Sequence, residues 1–87
     1  MVQLYDVSAV QFLFTELQTG LTFAQVAQMT QPSDTDKIKI NTANARKAYD
    51  SFLHFRDRVA LSQEQVKEME ALLDSLKAAL RGLGEAV

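Results

Sequence analysis

Val66, Met69, Leu73, Leu76, Leu80 and Leu83 recur at intervals of three and four without a slip. Side chains so spaced share one face of an α-helix, and an apolar face of that length must bury against a partner surface. Two further stretches carry comparable stripes. One is Ile38, Thr42, Ala45, Tyr49, Phe52 and Val59, interrupted by Arg56; the other is Val10, Leu13, Phe14, Leu17, Leu21 and Ala24. Three amphipathic helices in 87 residues predict one small all-α domain.

The boundaries follow from local chemistry. Ser62-Gln63-Glu64-Gln65 matches a capping box, in which Ser62 accepts from the third backbone N–H and Gln65 reaches back. Glu64 and Glu68 suit the positive end of that helix, Arg81 suits the negative end, and Gly82 and Gly84 offer stops. The third helix is thus expected at about 63–82. Pro32 marks a polar loop over 30–37, and a start after Ser33 or Asp34 gives a second helix of about 34–59. Arg56 interrupts its stripe, with a stem long enough to cover apolar surface while its guanidinium reaches water. The short turn before Ser62 makes helices two and three antiparallel neighbours.

The first segment admits two readings. Phe12, Phe23 and Val26 project almost opposite the Leu13/Leu17 stripe, and Gly20 lies between the two sets. Either a helix of about 8–29 runs through Gly20, straight or kinked, or Gly20 breaks it and resets the phase. Glycine inside a helix costs only about 1 kcal/mol against alanine, so a continuous helix is expected.

These readings converge on a three-helix antiparallel (up-down-up) bundle over 1–87, with an extension at 1–7 and a frayed tail at 84–87. The expected core is Val10, Leu13, Leu17, Leu21, Ala24, Ile38, Ala45, Tyr49, Phe52, Val59, Val66, Met69, Leu73, Leu76 and Leu80.

Composition bears on function mainly by exclusion. With no cysteine there is neither a disulfide framework nor a thiolate metal site. Met1-Val2-Gln3-Leu4-Tyr5-Asp6 lacks a basic leader, and no apolar run approaches the ~20 residues that span a bilayer. Cytoplasm is the expected setting. The formal net charge is −2, with no Lys or Arg before Lys37 and the basic residues gathered in the middle segment.

His54 is the sole histidine, on a helical face with Asp50 and Asp57. Such a row could hold a divalent ion or orient a base, but it lies opposite the apolar stripe. Solvated i,i+4 ion pairs are the expected reading. Serines and threonines occupy caps and loops, and no phosphate loop or paired catalytic carboxylates occur. No catalytic residue, cofactor or metal is expected. Leu21-Thr22-Phe23-Ala24-Gln25-Val26-Ala27-Gln28 reads like the opening of a helix-turn-helix, yet Gln31-Pro32 stands where its turn should favour glycine.

Thr19-Gly20-Leu21-Thr22-Phe23-Ala24, Asn44-Ala45-Arg46-Lys47-Ala48-Tyr49-Asp50 and Val59-Ala60-Leu61-Ser62 together resemble a group of short bacterial helical proteins of unknown function. The resemblance runs from about residue 13 onward and implies a helical cytosolic protein without assigning site residues. The Ala45-x-x-Ala48-Tyr49 pattern is also similar to helices of tetratricopeptide and microtubule-interacting-and-trafficking domains, although tetratricopeptide spacing does not fit.

The remaining functional lead is surplus apolar surface. Phe12, Phe23 and Val26, if exposed together, form a patch that monomers rarely tolerate unless it binds something. Alternatively the chain's own core or Leu4, Tyr5 and Val7 cover them. The expectation is a non-enzymatic protein–protein interaction module, in one version a homodimer through this face of the first helix. The alternative is a small nucleic-acid-associated regulator using basic residues of the second helix.

Overall fold

The computed structural model describes residues 7–87. The architecture is an all-α three-helix bundle: α1 spans Val7–Met29, α2 spans Thr35–Phe55 and α3 spans Gln63–Gly82. A single 3₁₀ turn, Arg56–Arg58, follows α2. Contacts along the helices fix their directions. Phe12 meets Phe55 and Gly20 approaches Ala48, so α2 runs antiparallel to α1. Gly20 also approaches Leu76, and Gly82 lies near Gln28, so α3 runs parallel to α1. The order is up-down-up.

α1 is the middle rod: it packs against both other helices, whereas α2 and α3 touch each other far less. Leu13, Leu17 and Ala24 of α1, Ala45, Tyr49 and Phe52 of α2, and Met69, Leu73, Leu76 and Leu80 of α3 are buried together with Val59. Val10 and Leu21 are only partly buried and pack against this core, and Ile38 is half-buried. Val66 departs from the expected core, remaining 37% exposed. It lies in the first turn of α3, on the wall of an open cleft shared with Phe52 and Leu61, where the sparse α2–α3 contact leaves its side chain no lid. Two alanines outside the expected core, Ala27 and Ala48, are buried.

Gly20 does not break the helix; it is a point of close approach. α1 continues through it, and a Cβ there would lie 3.3 Å from the Ala48 Cβ. The absent side chain lets three helices converge.

The ends obey short-range chemistry. The Asp34 carboxylate accepts from Lys37 N–H at 3.2 Å and caps α2. In the capping box of α3, Ser62 Oγ accepts from Gln65 N–H at 3.1 Å and Gln65 Oε1 accepts from Ser62 N–H at 2.9 Å. At the other end Glu85 N–H donates to Leu80 C=O at 2.9 Å and Gly84 N–H to Arg81 C=O at 3.0 Å, with Gly84 at φ +92°. That is a Schellman closure around left-handed glycine.

α2 stops four residues short of the expected 59. Its last turn tightens into the 3₁₀ segment, and Val59 is already extended. The tail expected to fray is tied down. Arg46 donates from Nη1 to Glu85 Oε1 at 3.4 Å and to Ala86 C=O at 3.3 Å, and Arg81 Nε donates to the Val87 backbone oxygen at 2.7 Å.

Candidate functional site

Phe12 lies 42% exposed near the start of α1. Antiparallel packing brings the last residue of α2, Phe55, alongside it. The rings meet edge to face, with centroids 5.5 Å apart and planes at 86°. Phe55 is itself 37% exposed, so the pair keeps ring surface open to water. The His54 ring meets Phe55 at 4.6 Å and 87°. The guanidinium carbon of Arg58, carried by the 3₁₀ turn, lies 5.8 Å from the Phe55 centroid. Both geometries are favourable for a π-system, the T-shaped pair through its quadrupole and the cation over the ring.

The other two predicted interaction residues sit elsewhere. Phe23 follows Phe12 by eleven positions, about 16 Å along the helix, and lines the α1–α2 seam with Thr19, Lys47 and Ala48. It is partly buried and packs on the core. Val26 is half-buried beside the α1–α2 loop, near Met29, Thr30 and Asp34. α2 therefore covers much of Phe23, while Phe12 projects where α2 is ending. Leu4 and Tyr5, considered as covers for the patch, lie outside the described residues.

The two carboxylates expected beside His54 are engaged by arginines. Asp50 does not face His54 as a ligand pair; it accepts from Arg46 Nε at 3.1 Å. That hydrogen bond raises the Arg46 pKa above its usual value; partial burial opposes the shift, and the charges of Asp50 and Glu85 reinforce it. Asp57 is paired loosely with Arg56 at 4.0 Å. Among the described residues no group of three or more His, Asp or Glu side chains is arranged to hold a metal ion. No helix of the described residues is long and apolar enough to cross a membrane.

Three further surface clefts, besides the seam at Phe23, are lined by described residues. One of about 550 Å³ lies between α2 and the end of α3, lined by Ile38, Thr42, Arg46, Leu83 and Glu85. Its volume is within the ligand range; of the three cations in its wall, Arg46 is spent on Asp50, Glu85 and the Ala86 carbonyl, while Lys39 and Lys47 line it beside Asp50. The Thr42 hydroxyl is buried there without a partner. A cleft of about 470 Å³ sits at the α1–α2 loop, with Met29, Asp34 and Lys37 in its wall. The third, about 220 Å³ between Phe52, Leu61, Val66, Met69 and Leu73, is smaller than a typical small-molecule site.

The pairing of Phe55 with Phe12 is not legible in the sequence. The missing information was register: which residue of α2 lies opposite Phe12 depends on loop length and helix crossing, not on either helix alone. No protein-family model matches the chain, and the curated proteins and solved structures give no match either.

Proposed function

We propose that the protein is a non-enzymatic protein–protein interaction module that uses the exposed aromatic end of its bundle. The observation carrying this reading is the Phe12–Phe55 pair, two large rings left 42% and 37% exposed while meeting edge to face with centroids 5.5 Å apart. Aromatic and arginine side chains are enriched at interface cores and hot spots, and Arg58 lies against this same pair. The contact surface then centres on Phe12 and Phe55. Phe23, in the α1–α2 seam, and Val26, beside the α1–α2 loop, lie farther along α1 and fall outside it. A cytoplasmic setting belongs to the same proposal and rests on a composition with no cysteine for disulfides.

The test is Phe12→Asp in the full chain. Because Phe12 is half in water, the variant should keep the helical circular dichroism of the wild type. It should lose any dimer seen by light scattering and any partner recovered by a tagged wild-type chain. A wild-type monomer that recovers nothing, or a complex indifferent to Phe12→Asp, ends the proposal.

A further inference from the structure

The four arginines of the chain are not equivalent. Arg46 is spent on Asp50, Glu85 and the Ala86 carbonyl, Arg56 pairs with Asp57, and Arg81 holds the Val87 backbone oxygen. Arg58 alone has no hydrogen-bond acceptor or carboxylate partner among the described residues, and its guanidinium rests by the Phe55 ring. Guanidinium offers five N–H donors in a planar fork matched to carboxylate, and it retains them while resting on an aromatic face. This end of the bundle thus holds an open donor fork, a neighbouring imidazole (His54) and two exposed rings, and among the described residues no carboxylate is paired with any of them.

We infer that this patch receives a short acidic peptide segment of a partner protein, with an apolar side chain against the Phe12 and Phe55 rings and a carboxylate on Arg58. The inference rests on the interaction reading above and supplies its partner class. Charge complementarity selects the occupant. One free arginine matches one carboxylate, and the neighbouring imidazole offers a further hydrogen-bonding group. A nucleic acid requires several cations along its backbone, and an anionic membrane surface takes a cluster of about 4–8 basic residues. The chain as a whole is acidic, at −2, which disfavours both polyanions. At this end Arg56 and Asp57 offset one another in the 3₁₀ turn, leaving Arg58 as the unpaired charge beside the two rings.

The probe is a display library of short random peptides selected on the immobilised full-length chain, and in parallel on Phe12→Asp and Arg58→Gln. Enriched peptides should carry Asp or Glu within a few positions of Phe, Leu or Trp and should not enrich on Phe12→Asp. For a peptide so obtained, Arg58→Gln should weaken binding about tenfold, the scale of one charge-assisted hydrogen bond, and added salt should weaken it further. Arg58→Lys should recover part of the loss, since it restores charge but not the fork. Arg58 lies on an exposed turn outside the core, so these variants fold. Basic or uncharged peptides, no enrichment, no effect of Arg58→Gln, or a Phe12-dependent dimer in light scattering would each overturn the acidic-peptide assignment. The dimer, or Phe12-dependent binding of non-acidic peptides, would leave the interaction reading standing. Enrichment unaffected by Phe12→Asp removes both.

Discussion

A Cβ placed on Gly20 of α1 would lie 2.9 Å from Cδ2 of Leu76 on α3, inside the distance that carbon atoms tolerate. Leu76 is fully buried and has little room to swing away, and Ala48 closes the other side at 3.3 Å. Two effects oppose each other in Gly20→Ala. Helix propensity gains about 1 kcal/mol, while overpacking a filled core costs about 1–3 kcal/mol. Overpacking should win by about 1 kcal/mol, lowering the melting temperature by about 4–8 °C in a domain of this size. The penalty should shrink in a Leu76→Ala background, where the clashing atoms are gone. A Gly20→Ala variant more stable than wild type would refute the three-helix convergence at this point.

Core register gives a second expectation. Leu76→Ala removes a fully buried side chain and should cost about 2–5 kcal/mol. Leu73→Ala, at a site 6% exposed, should fall in the same range. Val66→Ala stands on the same stripe but is 37% exposed, so its effect should stay within about 0.5 kcal/mol. Urea unfolding of the three variants measures this. A loss at Val66 equal to that at Leu76 would place α3 in a different rotation.

These contrasts show which information is local. Ser62 and Gln65 are legible in the sequence because their bonds close within one helical turn. The α3 boundaries follow for the same reason. Val66 shares the spacing of Leu73 and Leu76, and nothing in that spacing tells that sparse α2–α3 contact leaves the first turn of α3 uncovered. Ala27 and Ala48 escape the stripes because a methyl group reads equally well inside and outside. The binding candidate divides likewise: Phe12 is visible as surplus apolar surface on α1, but its pairing with Phe55 exists only once two helices are in register. The open donor fork of Arg58 is further still from the sequence, since it depends on where every carboxylate ends up.

Gly84 and Gly82 should part ways. Gly84 sits at φ +92°, and a Cβ added there would meet nothing within 4 Å, so Gly84→Ala tests backbone strain without a steric clash. A non-glycine residue in the left-handed region costs roughly 1–2 kcal/mol, and the Schellman closure of α3 should loosen by that amount. Gly82 is helical, and its nearest neighbour to an added Cβ is Gln28 Nε2 at 3.9 Å, an ordinary contact. Gly82→Ala should therefore be neutral or stabilise by up to about 1 kcal/mol. Thermal melts of the two variants shifting in the same direction by equal amounts would contradict the assignment of the left-handed position.

Arg46 reaches from the middle of α2 to the chain's last residues, and Arg81 holds the final one. Substituting Arg46→Gln keeps a donor but shortens the reach and removes the charge that attracts Glu85. Residues 85–87 should then gain fast motion, seen as lower heteronuclear NOE values, while Leu76 in the core stays unchanged. Arg46→Lys should release them nearly as well, because an ammonium lacks the planar fork that serves Asp50 from Nε and the tail from Nη1 at once. Asp50→Asn should have a smaller effect, since Asp50 orients Arg46 without touching the tail. Val87 also packs partly against the core, so release should be graded along the segment, with Ala86 freed more than Val87. Unchanged NOE values at Glu85 and Ala86 in Arg46→Gln would mean that apolar packing of Val87, not the arginine, holds the tail in place.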